Sequence, residues 1–234
     1  MPNDENKTRL PEDFTGRVRL FPLPNLVMFP HVVQPLHIFE PRYCEMVEDA
    51  LATDQLIAMA HLQPGWESEY EANPPLAPVT CIGRIISHTQ LDDGKFNILL
   101  LGLRRATIAT ELPLTRSFRE AQVNVLEDLN VQTASPQRSA IQRELLRCFR
   151  RFTPESPAAQ EQFESLMSNR LPLGMLTDVI SFTMKFDVEL KQRLLSEPNV
   201  DQRARLLVDE LRRLEQFGSS ADDERPFPPA FSSN

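Results

Sequence analysis

From Arg17 onward the apolar positions recur with a period of two, in short runs broken by prolines. Pro22, Pro24, Pro30 and Pro35 each remove a backbone donor, so Val18–Phe21, Leu26–Phe29 and Leu36–Phe39 are predicted to be short or edge-like strands. Pro41 suits the first turn of a helix. In that helix Tyr43, Val47, Ala50 and Leu51 would face inward, with Arg42, Glu45, Glu48 and Asp49 toward water. Leu56–Leu62 reads as a buried strand, followed by a long loop, Gln63–Pro78, rich in proline and acidic residues. Val79–Leu91 and Lys95–Leu103 then flank Asp92-Asp93-Gly94, a hairpin signal because glycine accepts the positive φ of a tight turn. Gly83 and Gly102 inside those strands suggest bulges or close backbone packing. Two further strands, Ala106–Glu111 and Phe118–Leu126, complete the set. In the second, Ala121, Val123 and Val125 would be buried, with Glu120, Gln122 and Asn124 wet.

Near Asn130–Pro136 the period changes to about 3.6, and helices follow. Ile141, Leu145, Cys148, Phe149 and Phe152 form an inward stripe, with Arg143, Arg147, Arg150 and Arg151 opposite; Pro154 and Pro157 would end that helix. A short helix with Phe163, Leu166 and Met167 is expected next, and then one opened by Pro172 with Leu173, Leu176, Val179, Ile180 and Met184. Asp187 and Asn199 are N-cap candidates, the latter in a capping-box arrangement with Gln202. The last helix would bury Ala204, Leu207, Leu211 and Leu214 and stop at Gly218.

Charge, like period, is unevenly distributed along the chain. Residues 1–131 carry 18 Asp/Glu against 11 Lys/Arg, within a net charge of −8 for the 234 residues. A nucleic-acid surface must neutralise phosphates, and the β-rich part has the wrong sign for it. No apolar run is long enough to span a membrane, and MPNDENKTRL lacks the apolar core of a signal peptide. Cys44, Cys81 and Cys148 are odd in number and far apart, which fits a reducing cytoplasm.

Reactive chemistry finds little footing. His37, Glu40 and Cys44 would sit near one helix start, yet the sequence has neither CxxC nor HExxH spacing for a metal. Ser181 and Lys185 have one-turn spacing without a glycine-rich turn to hold an oxyanion. A P-loop needs GxxxxGK[ST]; before Gly94-Lys95 the first glycine is replaced by Thr89, and Phe96 stands where the hydroxyl belongs. No catalytic residue, cofactor or metal is therefore expected. The arginine face of the first C-terminal helix reads as a solvated surface.

The order PLPNLVMFP, PLHIFEPRY, a strand ending near Leu62, and CIGRIISHTQLDDGKFNILLLGLRRATI followed by a late strand and helices resembles the Lon protease N-terminal domain over about residues 17–217. The resemblance implies an α+β fold, with a PUA-like pseudo-barrel β subdomain at 17–131 and a helical-bundle subdomain at 132–218. Disordered tails at 1–16 and 219–234 would flank them. It further implies a stand-alone substrate-recognition module without ATPase or peptidase.

The expected activity is non-catalytic binding of unfolded or damaged polypeptides, in which edge strands accept an extended segment and Met28, Phe29, Trp66 and Tyr70 supply apolar contacts. An ATP-dependent protease acting in trans is a second partner class; nucleic acid and membrane are not expected partners. The alternative is an RNA-binding PUA-like module, suggested by fold analogy and opposed by the charge.

Overall fold

The computed structural model describes residues 8–66, 73–129, 136–153 and 171–217. Its elements are β1 (Arg17–Leu23), β2 (Val33–Ile38), α1 (Pro41–Leu51), β3 (Leu56–His61), β4 (Val79–Gln90), β5 (Phe96–Glu111) and β6 (Glu120–Leu126), and then α2 (Pro136–Arg150), α3 (Leu173–Thr183), α4 (Val188–Ser196) and α5 (Val200–Phe217). The strands form one sheet in the order β2-β5-β4-β3-β1-β6, and β6 returns to β5. The return closes a ring of β5, β4, β3, β1 and β6, leaving β2 as an edge strand on β5. Only β1–β3 is parallel.

β5 makes this arrangement possible. It is one strand of 16 residues, so the separate Ala106–Glu111 strand expected from the sequence is its second half. The first half pairs with β2 and β4 and the second with β6. Register shifts at Ile82/Gly83, Ile85/Ser87 and Ile108/Thr110 mark bulges, which bend a strand and let it serve both neighbours. The hairpin turn lies at Gly94, with φ of 80°.

The predicted strand at Leu26–Phe29 does not form. The segment is irregular and buried, held by two bonds around Gly102: His31 N–H donates to its carbonyl and its own N–H donates to Val32. β2 spans Val33–Ile38, earlier than the predicted Leu36–Phe39.

Two cores result. Val18, Leu20, Leu56, Ala58, Ala60, Ile82, Leu103, Ala106, Ala121 and Val123 come from all five ring strands and fill the ring. Four alanines among them keep its interior narrow. Leu10 and Phe14, within the stretch assigned above to the N-terminal tail, pack against this cluster. The second core lies on the outer face, where Phe21, Ile57, Met59 and Cys81 meet Met28, Phe29, Met46 and Val47 and the helices α2 to α5.

The amphipathic readings of α1 and β6 need correction at their polar positions. Asp49 is drawn to Arg19 (2.5 Å) and Arg116 (2.8 Å), and Arg19 also reaches Asp54 at 2.7 Å. Glu120 is buried against Arg17 at 2.7 Å. A carboxylate can leave water when a guanidinium replaces the hydrogen bonds it loses, a pairing that periodicity does not reveal.

Among the helices, Leu145, Cys148 and Phe149 are buried as the stripe requires, and Ile141 and Phe152 pack partly buried beside them. Asp187 caps α4, accepting from the Leu190 N–H at 2.6 Å. Asn199 caps α5 through the N–H groups of Asp201 and Gln202, both at 3.1 Å. The return bond to the Asn199 N–H comes from Glu197 at 2.8 Å, the role the capping-box reading gave to Gln202. Leu214, expected inside, is 36 % exposed. The predicted Phe163–Met167 helix and the Gly218 stop lie outside the described residues.

Candidate functional site

Of the four predicted contact residues, Met28, Phe29 and Trp66 lie among the described residues. Met28 and Phe29 are both 0 % exposed. Their place is in the outer core, and the Phe29 carbonyl lies where a Cβ on Gly102 would be 2.1 Å away. They shape the neighbourhood without offering a surface, contrary to the contact role expected from their apolar character. Trp66 is half-buried at the end of the described loop stem, and Tyr70 lies outside the described residues.

The stem itself is firmly tied. Gln63 N–H donates to Pro75 (2.9 Å), Ala77 N–H to His61 (2.8 Å), and the Gln63 amide to Leu76 (2.9 Å). Arg119 anchors its far side, donating to the Pro74 carbonyl at 2.9 Å while Glu111 holds the guanidinium with bonds of 2.8 and 2.7 Å. Nothing in the sequence marks Arg119 for this role.

A small, shallow cleft opens between the ends of β1 and β2 and the start of α1, lined by Phe21, Leu23, Leu36, His37, Ile38, Phe39, Glu40 and Tyr43. Local sequence chemistry builds it. Alternation along β2 turns Leu36 and Ile38 inward, and Pro41 at the helix start forces a sharp change of direction after Glu40. Phe21 and Tyr43 meet edge to face at 4.7 Å, and His37 stacks on Phe39 at 6.0 Å. Arg42 covers the outer face of Tyr43 at 4.7 Å while bonded to Glu40 at 2.8 Å. His37 is fixed through Nδ1 to the Asn97 side chain at 2.8 Å. The loop stem joins here: the Leu23 carbonyl accepts from the Leu62 N–H at 3.2 Å and lies 3.3 Å from His61 Nδ1.

Beside the cleft runs the outer edge of β2. The Gly102-to-Val32 bond fixes the alternation, so Gln34, Leu36 and Ile38 direct their backbone groups to β5 while Val33, Pro35 and His37 direct theirs outward. Pro35 has no donor to offer, and its carbonyl already accepts from the Gln34 amide at 2.8 Å. Only Val33 and His37 keep a donor and an acceptor on this edge. It can make a brief backbone contact but not a long ladder.

Cys44 donates to the Ile38 carbonyl at 3.7 Å, and burial pushes its thiol above the usual range, away from the reactive thiolate. Ser181 is fully buried on α3, whereas Lys185 lies exposed beyond the end of that helix. Among the described residues no three His, Cys, Asp or Glu side chains are placed to hold a metal ion.

The largest polar feature is structural. Arg105 of β5 makes a two-pronged pair with Asp178 of α3 and donates to Leu195 at 2.9 Å and Asp128 at 3.4 Å. Arg203 of α5 bonds Asp128 at 2.8 Å, Thr177 at 3.0 Å and the Glu197 carbonyl at 2.7 Å. Gly174 makes room for the Asp128 carboxylate, which would be 2.7 Å from a Cβ there. Burial pushes the Asp178 carboxyl upward and the two guanidiniums pull it back. This network joins the ring to the helices.

The family model for the "ATP-dependent protease La (LON) substrate-binding domain" matches residues 17–213. The Lon protease of Heliobacterium modesticaldum is 29 % identical over 201 residues, covering 83 % of this chain and 23 % of the relative. That of Roseiflexus castenholzii is 27 % identical over 223 residues, covering 93 % and 27 %. The chain thus spans about a quarter of the length of these curated relatives. Among solved structures, the N-terminal domain of Mycobacterium avium complex Lon protease superimposes with a TM-score of 0.66 at 17 % identity, covering 84 % of this chain and 98 % of that one. The Lon N-terminal domain protein from Xanthomonas campestris gives 0.60 at 18 % identity, covering 82 % and 97 %. These two likenesses speak to the fold.

Proposed function

Because this chain belongs to the family of Lon protease substrate-binding domains, we propose that it is a non-catalytic polypeptide-binding module, and that the cleft between β2 and α1 takes an exposed apolar side chain of an unfolded or damaged protein. The observation that carries this reading is the position of an apolar, aromatic-walled cleft beside the outer edge of β2. The side chain would rest against the exposed part of Phe39 at the mouth of the cleft, while Val33 and His37 form short backbone contacts with the segment that carries it. Trp66, on the stem tied to Leu23, would extend the apolar surface. One anchor and few backbone bonds make for weak, sequence-tolerant binding, which suits the sorting of many substrates.

An ATP-dependent protease is the proposed recipient in trans, with no bond-breaking step assigned to this module. RNA binding is less well supported. Arg17, Arg19, Arg105 and Arg119 on the ring strands and the loop before β6 are all engaged by carboxylates, which leaves them poorly placed to receive phosphates.

Titrating a fluorescently labelled, permanently unfolded polypeptide tests the proposal. Micromolar binding that weakens several-fold in Phe39→Ala and Trp66→Ala variants of unchanged melting temperature is expected. No binding at high micromolar concentration would reject it. Adding ATP and magnesium should leave the melting temperature where it was.

A further inference from the structure

Resting on the polypeptide-binding reading, we propose that the segments this cleft selects are cationic as well as apolar, with an aromatic or large aliphatic anchor flanked by Lys or Arg. Glu40 at its lip apart, the walls of the cleft are almost entirely apolar and cannot read charge. Its surroundings can. The hairpin tip at 91–95 lies just beyond the Ile38–Phe96 pair that ends β2 beside the cleft, and on α1 the Cys44 thiol bonds the carbonyl of the same Ile38.

The charged groups of this rim are Glu40, Glu45, Glu48, Asp92 and Asp93 against Arg42 and Lys95. Both cations are already committed, Arg42 to Glu40 at 2.8 Å and Lys95 to Asp93 at 2.6 Å. Glu45 accepts from the Ser117 hydroxyl at 2.5 Å. Glu48 and Asp92 are exposed carboxylates that pair with no cation among the described residues. Behind the rim, the acidic excess of residues 1–131 has the same sign. The local field favours a positively charged segment and opposes an acidic one, while the anchor supplies the attachment.

The test uses two labelled peptides with one shared aromatic-aliphatic centre, flanked by lysines in one and by glutamates in the other. Fluorescence anisotropy at about 50 mM salt should show the lysine peptide binding at least about fivefold tighter, an advantage that shrinks toward equality near 0.5 M salt as the charges are screened. The exposed pair Glu48→Lys and Asp92→Lys should erase or invert the preference, and Phe39→Ala should weaken both peptides. Equal affinities would overturn this inference and leave polypeptide binding standing. A preference that survives the charge reversal would place it away from this rim and overturn the assignment, as would indifference to Phe39→Ala. Failure of both peptides to bind at high micromolar concentration would reject the cleft as a polypeptide site along with its specificity.

Discussion

Gly94 and Gly102 belong to the same pair of strands and are required for different reasons. At Gly94 φ is +80° and a Cβ would meet nothing within 4 Å, so Gly94→Val should cost about 1–2 kcal/mol, all of it backbone strain. Gly102 has an ordinary φ, but a Cβ would press on the backbone of Phe29, which cannot rotate away. Gly102→Ala should therefore cost about 2–3 kcal/mol despite being the smaller change, and urea unfolding of the two variants checks the order. Lys191 offers a test by titration. Burial lowers its amine from 10.5 to about 8, while the Phe182 carbonyl accepts a bond from it at 3.0 Å. Between those two pH values the unfolded chain holds more protons than the folded one, so this residue makes stability rise with pH there. Lys191→Met should remove that rise, on the order of 3 kcal/mol, in melting curves taken across the window.

At the scale of elements, what the sequence showed depended on whether the cause was local. The Asp92-Asp93-Gly94 turn, the helix start at Pro41 and the caps Asp187 and Asn199 were legible because each is set by residues within a few positions. The union of two predicted strands into β5 was not, because the bulges that carry it past β4 to β6 are set by partners distant in the chain. The same limit hid the cleft. Phe21 and Tyr43 each read as core residues, and only the return of β1 beside α1 makes them walls. Met28 and Phe29 are buried where Gly102, having no Cβ, lets the Phe29 backbone close on β5, an approach that no local pattern discloses. Pro35 then acquires a meaning that its sequence context only half disclosed: it interrupts the outward edge of β2 at its middle. Pro35→Val should restore a donor there and increase concentration-dependent self-association in sedimentation velocity, with little change in the stability of the monomer.

Over the whole molecule, the ring and the helices are joined by buried charge as well as by apolar packing. Asp178→Ala should cost about 3–5 kcal/mol, because it leaves Arg105 buried without its main counter-ion. Replacing both partners together, Arg105→Met with Asp178→Leu, should recover much of that loss, and a double-mutant cycle in urea measures the coupling. The pairing was invisible in the sequence, since Arg105 falls between two predicted strands and Asp178 lies in an otherwise apolar helix. It also ties folding to the order of synthesis. Asp178 lies 73 residues after Arg105, so a ribosome adding about 5–20 residues per second delivers the counter-ion roughly 4–15 s later. Through that interval the nascent ring must keep the guanidinium hydrated, and the seam that α3 will cover stays open to water and to chaperones until the carboxylate arrives.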